Sequence, residues 1–129
     1  MKTYALRLRP GQDLCMELES FAAARQMQAG LVLTCVGSLT HAALRMADAS
    51  STTLLEGKFE IVSLVGTLSL DGPHLHISIS DQKGATFGGH LQVGTLVYTT
   101  AEIVLGELEG TLFRRRPDPQ SGYDELVVE

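Results

Sequence analysis

Only residues 13–29 of this chain carry the spacing of a long helix, and from residue 31 onward the texture is that of strands. Leu14, Leu18, Phe21 and Ala22 recur at helical intervals behind Asp13, a capping residue type, and Gly30 closes the segment. Before the helix, Tyr4, Leu6 and Leu8 alternate with Thr3, Arg7 and Arg9, so residues 3–9 predict a strand with one wet face, ended by Pro10-Gly11. The order is one strand, one helix, then many strands. That order predicts an α+β fold: an antiparallel or mixed sheet with the long helix packed on one face.

The strand half divides at its polar breaks. Leu31–Val36 is a short apolar run that predicts a buried strand, and residues 39–47 predict another. The stretch 48–53 is polar and predicts a loop. Phe59–Leu70 predicts a long strand, with Gly66 a bulge or a close backbone approach. After the turn Asp71-Gly72-Pro73, residues 74–80 predict a further strand, and residues 95–105 another that extends toward Arg114. Beyond Pro117 the chain is polar and acidic, with Asp118, Asp124, Glu125 and Glu129. It reads as a loosely ordered tail in which Leu126-Val127-Val128 could dock on a neighbour.

The densest chemistry lies in His74-Leu75-His76-Ile77-Ser78-Ile79-Ser80. Strand side chains alternate faces, so His74, His76, Ser78 and Ser80 share one face while Leu75, Ile77 and Ile79 share the core face. His90 joins the first two only under a condition on the next turn. If Gln82-Lys83-Gly84 is a three-residue loop, with Gly84 left-handed and Asp81 paired with Ala85, then His76 pairs with His90 and all three imidazoles lie on one face. A two-residue loop of Gln82-Lys83 would pair Leu75 with His90 and turn His90 away. Three neutral imidazoles suit zinc or another divalent transition metal and leave one coordination position open, as in catalytic zinc sites that acidify water. Solvent-facing histidines with no metal are the bland alternative.

Other polar residues carry less. Glu60 falls on the strand face of Val62, Leu64, Leu68 and Leu70, where a carboxylate needs a partner. It is a candidate general base, an acceptor orienting a ligand histidine, or the partner of a cation such as Arg45. Glu102 is explained by an exposed strand position, and His41 reads as a surface or interface histidine. Arg114-Arg115-Arg116-Pro117 is the one basic cluster. It lacks the central glycine of an AT-hook core and precedes an acidic stretch, so a solvated strand end is expected.

The whole chain has 129 residues, 44% of them hydrophobic, and a formal net charge of −5. That size fits one domain, and that charge opposes non-specific attraction to nucleic acid. The N-terminus is too charged for a signal peptide, and no run is long and apolar enough to span a membrane, which predicts a cytoplasmic protein. Cys15 and Cys35 have no ligand-like spacing and read as reduced core thiols.

Five ordered segments, Leu8-Arg9-Pro10-Gly11, Gly37-Ser38-Leu39, Gly57-Lys58-Phe59-Glu60-Ile61, His74-Leu75-His76-Ile77-Ser78 and Gly88-Gly89-His90-Leu91, resemble the PPC domain, conserved in plants and prokaryotes. The resemblance runs from about Tyr4 to Leu112. It implies a PPC-like domain over residues 1–116 followed by the acidic tail 117–129, and assembly as a homotrimer. It also implies a metal in some members at a site that maps onto His74, His76 and His90. In plants the domain follows AT-hook segments in nuclear proteins, and stand-alone prokaryotic members are described as DNA-binding proteins. This chain has no intact AT-hook. Three readings follow: a metal-binding regulatory or scaffold domain reaching DNA through a partner or a local patch, a zinc-dependent hydrolase, and a metal-independent interaction module.

Overall fold

A computed structural model describes all of residues 1–129. The chain runs through β1 (Lys2–Leu8), α1 (Leu14–Ala24), β2 (Gly30–Arg45), β3 (Thr52–Leu68), β4 (His74–Ser80) and β5 (Thr86–Leu91). It ends with β6 (Leu96–Glu107), β7 (Phe113–Pro117) and β8 (Asp124–Val128). Six strands form one sheet in the order β1-β6-β2-β3-β4-β5, and every pairing in it is antiparallel. The sheet curls until β5 meets β2 again, at Leu44–Leu91 and Arg45–His90. That closure places the end of β2 beside the histidine hairpin, which no reading of β4 and β5 alone could reveal.

The expected α+β class holds, but the helix is shorter than expected. Asp13 caps it, its carboxylate accepting from the Met16 N–H at 3.0 Å, and Leu14, Leu18 and Ala22 are buried. The helix ends at Ala24 rather than 29, because Gln26 takes a left-handed conformation with φ 51°. The Gln26 N–H then bonds the Ala23 carbonyl and the Met27 N–H bonds that of Ala22, a Schellman closure that buries Met27. Glycine usually signals such an end. Here a glutamine does it, and the periodic residues beyond it belong to the core without belonging to the helix.

Two further expectations change. The strands expected at 31–36 and 39–47 are one strand, β2, which carries register shifts where a break was expected. A Cβ at Gly37 would meet the Thr100 carbonyl oxygen at 2.1 Å, so this glycine serves close packing against β6 instead of a turn. The expected loop at 48–53 gives way to β3 at Thr52. The strand from residue 96 stops at Glu107, and Phe113 opens a separate hairpin.

That hairpin corrects the expectation of a loose tail. β7 and β8 pair from Phe113–Val128 to Pro117–Asp124. The hairpin is tied to the body by the Phe113 N–H to the Gln28 carbonyl and by the Arg115 N–H to Asp71 Oδ2, at 3.0 and 2.9 Å. The core is aliphatic and continuous, drawing on α1, β2, β3, β4 and β6, and Leu39, Leu44, Ile79 and Leu105 are fully enclosed. Both cysteines are free thiols within it. Burial pushes the Cys15 thiol up to about 12, with Glu19 and Asp13 adding to the effect, and the Cys35 thiol up to about 11. No helix is long and apolar enough to cross a membrane.

Candidate metal centre

The alternation read from β4 is present in full. Leu75, Ile77 and Ile79 are buried, and His74, His76, Ser78 and Ser80 face away from the core. The turn meets its condition. The Asp81 N–H bonds the Ala85 carbonyl at 2.9 Å, the Gly84 N–H bonds the Asp81 carbonyl at 3.0 Å, and Gly84 has φ 82°. Asp81 Oδ1 also accepts from the N–H groups of Lys83 and Ala85, at 2.8 and 3.0 Å, which fastens the loop from inside. Register then continues as Ser80–Thr86, Ser78–Gly88 and His76–His90.

The three imidazoles therefore converge. Their ring centroids are 5.1, 5.2 and 5.6 Å apart, and one nitrogen from each lies within 4.8 Å of the others. The Nε2 atoms of His74 and His76 are 3.3 Å apart. Two nitrogens at zinc bonding distance in a tetrahedron are separated by about 3.3 Å, so this donor pair already has the spacing of a coordination edge. Burial lowers the basicity of His74 and His90, and Arg115, Arg45 and the neighbouring imidazoles lower it further. His90 is pushed down to about 4. Glu125 opposes the shift at His74. His90 is thus neutral at physiological pH and His74 is biased the same way, toward the form in which imidazole donates a lone pair to a cation. The residues thus fit a transition-metal ion by number and spacing.

Glu60 is not brought to this site. It pairs with Ser80 and Ser38, at the opposite end of β4 from His74, and lines a cleft with Lys58, Tyr98 and Glu102. Arg45, its expected partner, instead stands opposite His90. His41 lies at the far end as well, bonded to Thr40 Oγ1 at 2.9 Å and facing Glu56 at 3.9 Å. Carboxylates from other elements neighbour the histidines instead: Glu125 of β8 shares a cleft with His74, His76 and Arg115, and Asp48 and Asp124 share one with His74 and His90. Neither Arg115 nor Glu125 is reachable from local spacing, since the C-terminal hairpin brings them in from beyond β6.

The chain is similar to known proteins in both sequence and fold. Residues 1–109 match the model of the Plants and Prokaryotes Conserved (PCC) domain. A bifunctional protein GlmU of Synechococcus sp. (strain JA-3-3Ab) is 52% identical over 129 residues, the whole of this chain and 21% of that protein. AT-hook motif nuclear-localized protein 16 of Arabidopsis thaliana is 27% identical over 91% of this chain and 48% of its own length. The chain thus spans between a fifth and a half of these curated relatives. Among solved structures, a hypothetical protein of Salmonella enterica is 48% identical, with a TM-score of 0.97 over 99% of this chain and 93% of that one. A metal-containing protein of Archaeoglobus fulgidus is 27% identical, with a TM-score of 0.83 over 98% of this chain and 94% of its own.

Proposed function

This chain belongs to the Plants and Prokaryotes Conserved domain family, and from that premise we propose that it is a homotrimeric regulatory or scaffold domain holding one divalent metal ion. His74, His76 and His90 are the ligands, and zinc or another transition metal suits a set of three imidazoles. The observation that carries the reading is the convergence of three imidazole nitrogens within 4.8 Å, two of them at the spacing of a tetrahedral edge. The metal-containing relative from Archaeoglobus supports it.

Exposed apolar residues on neighbouring strands, Leu33 and Val36 on β2 with Val62 and Val65 on β3, support self-association. The basic cluster does not support direct reading of DNA. Arg114 is bonded to Gln28, Arg115 to Thr67 and Arg116 to Glu129, and the chain as a whole is acidic. Any role at DNA runs through a partner or a local patch.

Zinc titration of untagged protein should saturate at one ion per chain and raise the melting temperature, because an ion that binds only the folded state stabilises it by mass action. Sedimentation equilibrium of the same sample should give three times the 13.9 kDa chain mass. A chain that takes up no zinc at micromolar concentration would leave the metal-independent interaction module as the reading.

A second reading, hydrolysis, is favoured by one observation: Glu125 lines the cleft beside His74 and His76. A bound ion would supply Lewis acidity, and Glu125, the carboxylate that shares a cleft with both His74 and His76, would accept a proton from an attacking water. Generic ester and phosphoester substrates test it. Turnover that vanishes on chelation and on Glu125→Gln supports a hydrolase, and no turnover with zinc bound excludes it for those substrates.

A further inference from the structure

We propose that the histidine site is one half of a binding site for a small oxyanion, a phosphate or carboxylate, whose other half is the guanidinium pair of Arg45 and Arg115. The inference rests on the metal reading above and names what fills the position that three histidines leave open.

Three placements carry it. Arg45 is the residue of β2 that pairs directly with His90 where the curled sheet closes, so both project on the same face. His74 pairs with Thr67 of β3, and Arg115 Nη2 donates to Thr67 Oγ1 at 3.0 Å, which anchors that guanidinium beside His74 from the opposite direction. Arg45, Arg115, His74 and His90 then line one open cleft of about 450 Å³, a size suited to a small organic ligand.

Charge supplies the direction of the argument. Neither guanidinium has a carboxylate oxygen within 4.0 Å; the ion pairs of the chain lie elsewhere, at Met1–Glu109, His41–Glu56 and Arg116–Glu129. Arg45 makes no side-chain hydrogen bond at all, and Arg115 makes only the one to Thr67. Beside a metal ion at the imidazoles, two guanidinium groups with no carboxylate in contact are unfavourably placed. They are favourable once an anion bridges ion and guanidinium, since arginine presents a planar fork of donors that matches phosphate and carboxylate oxygens. Asp48, Asp124 and Glu125 line the same cleft and would repel a bare polyanion. The fitting ligand is therefore a small oxyanion that also carries hydroxyl or ammonium donors for those acids.

The test uses the full chain loaded with one equivalent of cobalt(II), whose visible absorption reports the ligand at the open position. Glycerol 3-phosphate and 3-hydroxypropionate, each an oxyanion with a hydroxyl donor, should on separate titration shift the spectrum saturably, and the tighter of the two identifies the oxyanion class. Arg45→Gln and Arg115→Gln should each weaken that response about tenfold, the loss expected for one charge-assisted contact, with cobalt still bound at one per chain. Using both variants guards against Arg115→Gln merely loosening the C-terminal hairpin. Unchanged anion affinity in both variants, or no spectral response in cobalt-loaded wild type, overturns this inference and leaves the metal site standing. Failure of wild type to take up cobalt overturns both.

Discussion

Replacing His90 with alanine should lower zinc affinity by more than about a hundredfold, because losing even a residue that only orients a ligand costs about 10–100-fold. The effect follows from position as much as from chemistry. His90 reaches His76 across the β4–β5 pair only because the turn at Gln82-Lys83-Gly84 sets that register. Moving the imidazole by one residue therefore supplies a sharper test than removing it. In the double variant His90→Ala, Leu91→His the new side chain starts from a position that is 4% exposed and faces the core. It should not restore binding, and it should destabilise the fold by burying a polar ring. Isothermal titration with zinc measures the first effect and urea unfolding the second. Recovery of affinity in the double variant would contradict the register.

Gly66→Ala should destabilise the chain by about 3–5 kcal/mol, combining a strained backbone with overpacking. Gly66 pairs with Leu75 and has φ 138°, a conformation that L-residues avoid. Its Cβ would lie 2.0 Å from the His74 carbonyl oxygen and 2.9 Å from the Leu75 Cα, both of them backbone atoms that cannot swing aside. The same substitution at Gly110 is the control. That residue also has positive φ, 73°, but nothing lies within 4 Å of its Cβ, so alanine there should cost only about 1–2 kcal/mol. Urea unfolding of both variants separates the contributions. Equal losses would show that the close approach at His74 is not what demands glycine at 66. Because the displaced atom belongs to His74, whatever Gly66→Ala folds should also bind zinc more weakly than wild type.

The site was legible in the sequence to the extent that it is local. The period-two alternation of residues 74–80, the turn residues Asp81 and Gly84, and the count from there to His90 are all short-range facts. Strand geometry converts them directly into a shared face. The helix end was not legible, because Gln26 adopts a left-handed conformation that glutamine does not advertise. The continuity of β2 was hidden in the same way: Gly37 looks like a break and is a point of close packing. What surrounds the histidines was hidden for a different reason. Arg45 arrives through closure of the sheet, and Arg115 and Glu125 arrive through the C-terminal hairpin, all set by tertiary packing. Glu60 shows the converse error. Its apolar strand neighbours marked it as unusual, but the β3–β4 register carries it to the end of the hairpin remote from the imidazoles.

The most direct test of the account is the X-ray absorption spectrum of the zinc-loaded, untagged protein. Three imidazole nitrogens at about 2.0–2.1 Å plus one further light atom, with the pattern lost in His90→Ala, is the predicted result. A first shell containing sulfur, a six-oxygen shell, or a spectrum unaffected by His90→Ala would contradict it.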